Sequence, residues 1–310
     1  LVDVLPGRRV TGSIDADNAG NVYTGAANIG ATIHLNEPVG QGDVATLRVL
    51  TSGEGLNHFR AAYQMHIGKA RVGAAYSSLE YRLGKSFESL LANGTAKTTS
   101  FYGSYPLIRS PQRNLYVGLS HDSKRFEDRM DSVGSVIDKS VRSLTATLSG
   151  DHRDTWGGGG DNGYVLALTS GTVNILTPGS RTFDATTAQT NGRFNKLSFS
   201  ANRLERVSDS FAVYAGIRGQ RASRNLDISE KIQLGGMYGV RAYPEGEAFG
   251  DQGYVMTLEG RYQLPSWSQR LPGHMQLIGF VDVGSVKPNA NPWTLEPNHR
   301  TLRAVGVGLN

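Results

Sequence analysis

Residues 254–264 read YVMTLEGRYQL and alternate apolar and polar side chains with a period of two. One face of the stretch carries Tyr254, Met256, Leu258, Gly260, Tyr262 and Leu264, and the other carries Val255, Thr257, Glu259, Arg261 and Gln263. Successive side chains of a β-strand point to opposite faces of its sheet. The period therefore predicts a strand with one apolar and one polar face.

The same alternation recurs along the chain. It is clear in residues 211–220, 143–149 and 10–15, and about fourteen such segments can be placed, the last ending at Asn310. A soluble sandwich also alternates, but it turns its apolar side inward and rarely needs so many strands of this length. In a transmembrane barrel the apolar side faces lipid and the polar side faces a wet lumen. We therefore predict an all-β fold, a transmembrane antiparallel β-barrel.

The composition limits both fold and function. The 310 residues include 39 glycines and 13 tyrosines, but only 38% are hydrophobic, which suits many short strands joined by turns. No run approaches the roughly 18 consecutive apolar residues of a membrane-spanning helix, so a membrane role requires a barrel. The chain has no cysteine, which excludes disulfides and thiolate metal sites. The 32 Lys and Arg residues are scattered among 27 Asp and Glu residues, which argues against nucleic-acid binding.

The connections between the predicted strands alternate in length. Short ones lie at residues 36–43, 68–70, 109–114 and 206–209, and long ones lie at 84–94, 126–139, 171–193, 225–252 and 287–301. Outer-membrane barrels have short periplasmic turns on one rim and long extracellular loops on the other, and we predict that arrangement here. Residues 87–91, FESLL, fit either one helical turn or an ordinary loop with an apolar anchor.

The longest distinctive motif is residues 234–253, LGGMYGVRAYPEGEAFGDQG. Glycine and proline punctuate it as in turns, and Arg241 stands at the centre of an aromatic and aliphatic cluster. The segment is too long for a simple hairpin, and a loop of that length without regular structure is usually functional or disordered. It is therefore the principal candidate for a functional segment.

This motif resembles the signature loop of the two-partner secretion transporters, the haemolysin and filamentous-adhesin secretion/activation proteins, which are relatives of the barrel-assembly insertase. Their sixth surface loop carries a Val-Arg-Gly-Tyr or Val-Arg-Gly-Phe tip that folds back into the lumen. Val240, Arg241 and Tyr243 match this tip, whereas Ala242 stands where glycine is usual. Other segments similar to the family follow in the family's order at residues 17–25, 36–43 and 104–110.

The resemblance also covers the strand that receives the loop. Residues 280–284, FVDVG, resemble the family's Phe-x-Asp-x-Gly strand, whose aspartate receives the loop arginine. This implies that Arg241 pairs with Asp282 inside the barrel. We predict a loop lock that gates the pore, formed by Val240, Arg241, Tyr243, Glu259, Phe280 and Asp282. Alternation places further polar side chains along the lumen, namely Arg218, Gln220 and Arg261.

The resemblance implies a domain arrangement as well. Residues 1–9 are expected to be the end of a periplasmic domain or linker. Residues 10–310 are expected to be the transmembrane barrel, with the long loop 225–252 folded into its lumen. Members of the family close their barrels with about sixteen strands, so the about fourteen found here predict that the closing C-terminal strands are missing from the sequence.

The function implied by the resemblance is secretion across the outer membrane of a Gram-negative cell. The expected partner is a large unfolded exoprotein with an N-terminal secretion domain, and the barrel is expected to be a monomer surrounded by outer-membrane lipid and lipopolysaccharide. No cofactor, metal or nucleic acid is expected. The alternative is a protein similar to the barrel-assembly insertase, although the glycine- and proline-containing flanks of the Val-Arg tip favour the secretion branch. A passive porin would lack both this loop and its acceptor strand.

An enzyme is the contrasting hypothesis. The 7 histidines are dispersed, and none has a metal-ligand spacing or lies in a nucleophile motif. Residues 151–154, DHRD, precede the glycine run 157–160, where a hairpin must reverse. That run lacks the Lys-Ser or Lys-Thr ending of a phosphate loop. We therefore expect no catalytic residues.

Overall fold

The computed structural model describes residues 7–265 and 274–310, and most of its regular structure is β-strand. The strands are β1 (Val10–Asp17), β2 (Asn28–Asn36), β3 (Val44–Thr51), β4 (Leu56–Ile67), β5 (Ala70–Arg82), β6 (Ala92–Arg109), β7 (Arg113–Met130), β8 (Ser135–Asp154), β9 (Gly160–Ile175), β10 (Gly192–Arg206), β11 (Phe211–Ala222), β12 (Ile232–Gln233), β13 (Phe249–Gly250), β14 (Gln252–Gln263), β15 (Gln276–Lys287) and β16 (Arg300–Leu309).

Helical segments lie only in the connections of the described chain. They are the helix α1 (Pro178–Thr186) and the 3₁₀ segments Lys85–Leu90, Asp131–Val133 and Ile228–Glu230. Within the described residues, no helix has the length and apolar character needed to cross a membrane. Residues 1–6, the larger part of the expected periplasmic segment 1–9, lie outside the described residues.

Fourteen strands form one sheet, in the order β1 to β11 followed by β14, β15 and β16. Each strand of this sheet pairs antiparallel with the one before it in the order. The remaining two strands, β12 and β13, form a short ladder within the connection between β11 and β14. A meander of consecutive antiparallel strands is the topology of an up-and-down barrel. The all-β antiparallel fold and the strand number expected from the sequence are confirmed.

The alternation of residues 254–264 gives β14 two different faces. Tyr254 and Leu258 are 40% and 54% exposed, whereas Val255 and Glu259 are 3% and 6% exposed. Large apolar side chains are exposed on the same outer face of other strands, among them Leu47, Phe59, Phe101, Leu119, Leu144 and Leu168. An apolar surface of this extent needs an apolar environment, so the outer face suits lipid and the inner face collects the polar groups.

The connections gather on two rims of unequal character. The short-turn rim holds residues 37–43, 68–69, 110–112, 155–159 and 207–210. The long-loop rim holds residues 18–27, 83–91, 176–191, 223–251 and 288–299, together with the short connections 52–55 and 131–134. Long connections contact one another: the Gly84 amide donates to the Tyr23 carbonyl at 2.8 Å, and the Tyr23 and Phe87 rings meet edge to face. The predicted asymmetry of the rims is therefore present.

The prediction of a long loop at residues 126–139 is wrong. β7 continues to Met130 and β8 begins at Ser135, so that only residues 131–134 turn. The alternation of apolar and polar residues fades here because the outer face is charged as well, with Arg125, Glu127 and Asp138, while on the inner face Lys139 lies 3.8 Å from Asp128. With both faces polar, the period of two cannot be recognised from hydrophobicity.

The expected loop 171–193 is also shorter than predicted. Strands β9 and β10 cover its two ends, and α1, which the sequence did not predict, occupies its middle. Pro178 begins this helix at a position where a missing N–H costs nothing. Of the two alternatives for residues 87–91, the helical one is closer, since Lys85–Leu90 form a 3₁₀ segment.

The two faces of the sheet predict a labelling pattern in outer membranes. Since this chain has no cysteine, single cysteines can be placed at Leu258 or Tyr262 on the outer face and at Thr147 or Arg261 on the inner face. A bulky water-soluble maleimide should label the inner positions and spare the outer ones, which lipid covers. All four positions should label after unfolding in urea. Labelling of 258 and 262 with protection of 147 and 261 would reverse the faces, as a register slip of one residue would do.

The rims predict a second accessibility pattern. Val133 is 70% exposed at the tip between β7 and β8, so a peptide epitope inserted after Val133 should be detected by antibody on intact cells. The matched control is the same epitope after Gly68, in the turn on the short-turn rim, which should be detected only after the cells are permeabilised. The reverse pattern would show that the long-loop rim faces the periplasm.

Candidate functional site

The connection between β11 and β14 folds back on itself before it reaches the sheet. Its first turn, Ile228–Glu230, is capped by Asp227, whose carboxylate accepts from the Ser229 amide at 3.0 Å. The β12–β13 ladder then brings the two arms of the loop together. Positive φ angles at Gly236 and Gly246 permit the turns between these arms. This closed arrangement projects residues 234–248 as a compact tongue.

The apolar side of the tongue packs against the inner face of the last three strands. Leu234 and Val240 are completely buried. They belong to one cluster with Ile232 and Ala248 of the loop and with strand residues Val255, Val286, Leu302 and Ala304, and Tyr243 packs against it. These strand residues point inward, so the tongue packs against the inner face of the sheet.

Arg241 makes a forked contact with Asp282 of β15. Its Nε donates to one carboxylate oxygen at 2.8 Å and its Nη2 donates to the other at 2.8 Å. The Arg241 backbone N–H also donates to the carboxylate at 3.1 Å, and the Thr257 hydroxyl donates to it at 2.9 Å. Asp282 is completely buried. A buried carboxylate needs this full set of donors because an unpaired charge there would be strongly destabilising.

The arginine also contacts two neighbours of this pair. Its Nη1 donates to Glu259 of β14 at 2.6 Å, and its guanidinium lies 3.6 Å from the centre of the Phe280 ring. Glu259 is shared with Arg261, whose Nε donates to it at 2.9 Å. The two arginines and two carboxylates form one chain of ion pairs with no net charge.

The backbone conformation at the tip explains why Ala242 is tolerated where the family usually has glycine. Ala242 is not among the described residues with positive φ, so this tip does not require glycine at that position. The close approach occurs instead at Gly239, where an added Cβ would lie 1.9 Å from the Leu234 carbonyl oxygen. Glycine is therefore required one residue before Val240 and not one residue after Arg241.

A second set of contacts, which the sequence analysis missed, holds the beginning of the loop. Lys139 of β8 contacts Asp227 at 2.9 Å, and Glu230 lies 2.6 Å from Lys124 of β7 and 2.8 Å from Lys196 of β10. Burial would raise the pKa of Glu230, but Lys196 and Lys124 outweigh it and hold that pKa below its usual range. The available signal was a lysine at an inward position on each of three strands.

Arg218 and Gln220, two of the three residues expected to line the lumen, also face inward, but their contacts are with the loop. Arg218 donates to the Gln233 carbonyl at 3.0 Å. Gln220 is buried, and its amide donates to the Glu230 carbonyl at 3.0 Å and to the Asp251 carbonyl at 3.3 Å. The structure thus brings the six predicted lock residues together with Arg261. It places Arg218 and Gln220 at the neck of the same loop.

The tongue also joins the two ends of the sheet. Asn21, between β1 and β2, donates from its side-chain amide to the Glu245 carbonyl at 3.0 Å. Arg300, at the start of β16, forms an ion pair with Glu247. Residues 245–247 therefore contact both the first hairpin and the last strand of the described sheet.

Known proteins with similar sequences or structures include a transporter and two outer-membrane barrels. The heme/hemopexin transporter protein HuxB of Haemophilus influenzae is 28% identical over 320 residues, covering 100% of this chain and 55% of that protein. Among solved structures, CdiB from Escherichia coli covers 99% of this chain and 57% of its own, with a TM-score of 0.83 at 21% identity. BamA from Haemophilus ducreyi covers 97% of this chain and 64% of its own, with a TM-score of 0.62 at 12% identity.

The chain spans about half the length of the curated relatives that it matches. Its likeness to CdiB and BamA shows the fold of an outer-membrane β-barrel. The family model described as "Haemolysin secretion/activation protein ShlB/FhaC/HecB" matches residues 1–310. Because that match covers the whole chain, the protein belongs to the ShlB/FhaC/HecB family of haemolysin secretion/activation proteins.

Proposed function

We propose that this chain forms the outer-membrane pore through which a large unfolded exoprotein is secreted. Family membership supports secretion, and the observation that carries the proposal is the inward-folded loop, which occupies the polar interior through ion pairs that can separate in water. A porin needs only a static opening. A loop held by Arg241, Lys124, Lys139 and Lys196 suits a passage that opens for a polymer and closes behind it.

In this proposal the exoprotein passes through the lumen as an extended chain. Periplasmic segments of the whole protein capture its N-terminal secretion domain by adding a strand to a sheet edge. Inward-facing groups then replace water around the moving backbone. Glu259, Arg261, Arg218 and Gln220 become available to the substrate once the loop moves, because their present partners are loop atoms or one another.

Within that pathway, Arg241 and Asp282 are proposed to hold the loop and not to act on the substrate. Arginine is suited to this role because its planar fork matches both oxygens of a carboxylate, which the single ammonium of lysine cannot do. The Phe280 ring covers the guanidinium on one face. Val240 and Tyr243 then fix the depth of the tip through the apolar cluster.

A deletion distinguishes secretion from the alternative of barrel assembly. Removal of the gene should abolish the exoprotein in the medium while the amounts of folded porins in the outer membrane stay unchanged. Re-expression of the full-length protein should restore secretion. Loss of folded porins, with the exoprotein lost only in proportion, would favour an insertase and contradict the proposed function.

The lock predicts a double-mutant cycle. Arg241→Ala and Asp282→Ala should each impair secretion, because leaving one partner of a partly buried pair without the other costs on the order of 3–5 kcal/mol. The double variant should lose much less than the sum, since both changes remove one interaction. Secreted exoprotein is measured against equal amounts of folded barrel, with conductance in planar bilayers alongside.

Two further variants complete this cycle. Arg241→Lys should behave more like Arg241→Ala than like the wild type, because the fork is lost although the charge is kept. Arg129→Ala is the matched control, since Arg129 forms half-exposed ion pairs with Glu127 and Asp131 at the long-loop rim. Secretion should remain normal in the control. Strictly additive losses, or normal secretion from Arg241→Ala, would contradict the lock.

A further inference from the structure

The outer face of the sheet carries exposed cations near the long-loop rim. Lys97 of β6 is directly opposite Arg125 of β7 in the strand register. Arg125 is opposite Ser140 of β8, and Arg142 is the next outward residue of that strand. Beyond it, Arg142 and Arg193 of β10 stand opposite Thr172 of β9, one on either side. We call Lys97, Arg125, Arg142 and Arg193 the cation row.

The spacing of the row lets its side chains converge on one ligand. Adjacent strands lie about 4.8 Å apart, which puts the backbones of Arg142 and Arg193 about 10 Å apart. Residues directly opposite each other, such as Lys97 and Arg125, have Cβ atoms about 5 Å apart. Long flexible side chains at these positions span the size of a headgroup with more than one phosphate.

The cation row has no carboxylate partners of its own. Within residues 7–265 and 274–310, none of its four side chains forms an ion pair. The nearest outward carboxylates, Glu127 and Asp138, are one position closer to the rim, and Glu127 contacts Arg129. Like charges directly opposite each other destabilise a sheet. The row therefore needs anions from outside the chain.

At the opposite end of the same outer face, an outward arginine is paired with carboxylates of the chain itself. At the short-turn rim, Arg203 lies 2.6 Å from Asp154 and also pairs with Glu205. The Trp156 ring lies 5.1 Å from the same guanidinium. Arg203 is thus neutralised by carboxylates of the chain itself, whereas the four described cations of the row are not.

An apolar groove adjoins the cation row on the outer face, nearer the middle of the strands. Leu119, Ala146, Leu168 and Leu197 follow one another in register across β7 to β10. The small Ala146 side chain leaves a depression among the leucines, and the groove measures about 530 Å³. It lies two outward positions from Arg142 and Arg193, towards the middle of the strands. Phosphate-binding and acyl-chain-binding surfaces are therefore next to each other.

From this juxtaposition we propose that the outer face binds the phosphorylated glycolipid of the outer leaflet, lipid A. Its phosphates contact the cation row through charge-assisted hydrogen bonds, and one acyl chain occupies the groove. The inference rests on the proposed function in one respect, the placement of the long-loop rim at the outside of the cell. It assigns a role to surface residues that take no part in the loop lock.

The test measures lipid binding to the purified full-length protein in detergent micelles by native mass spectrometry. The probe is bisphosphorylated lipid A. The variant is Arg125→Gln with Arg142→Gln and Arg193→Gln, and the expected result is an affinity at least ~10-fold weaker than wild type, since each charge-assisted contact contributes to binding. The matched control replaces two exposed cations of the short-turn rim, Lys69 and Arg113, by glutamine and should bind as the wild type does.

Three outcomes would overturn the proposal. They are equal binding by the wild type and the cation-row variant, equal binding of lipid A from which the phosphates have been removed, and displacement of lipid A by millimolar inorganic phosphate alone. Folding of each variant is checked by its heat-dependent mobility in gels. If the triple variant does not fold, Arg142→Gln alone should still weaken binding several-fold. Because binding is measured without secretion, its result is separate from that of the gene deletion.

Discussion

The structure depends on the requirement that Asp282 be paired, because this carboxylate is completely buried on the inner face of β15. Arg241 meets the requirement with three hydrogen bonds, counting that from its backbone. It can do so only if the tongue is carried inside the sheet, which in turn buries Leu234 and Val240 against β14 to β16. The apolar packing holds the tongue against the inner face of the sheet, and the forked ion pair fixes the position of its tip.

Two different kinds of contact hold the two parts of the loop. The tip is held by one partly buried arginine and an apolar cluster, whereas the beginning is held by lysines from β7, β8 and β10. Ion pairs of lysine are less dependent on geometry than the arginine fork. The two attachments therefore differ in how strictly they depend on the placement of the partner groups.

The fold could be predicted from the sequence wherever an apolar face opposes a polar one, as in residues 254–264, and the Val-Arg tip and its aspartate could be recognised as a motif. Prediction failed where both faces are polar, as in residues 126–139, because hydrophobic periodicity then carries no information. It also failed for Lys124, Lys139 and Lys196. An inward lysine indicates only a polar interior, and its partner in a distant loop depends on three-dimensional folding that spacing along the chain does not encode.

The contacts of residues 245–247 with Asn21 and Arg300 have a mechanical consequence. Hydrogen bonding between neighbouring strands transmits force around the sheet, but these two contacts transmit it across the sheet, from the first hairpin to the last strand. The tongue thus links the two edges of the described sheet directly. Withdrawing the tongue breaks both contacts, so that its displacement also removes a restraint on the two edges of the described sheet.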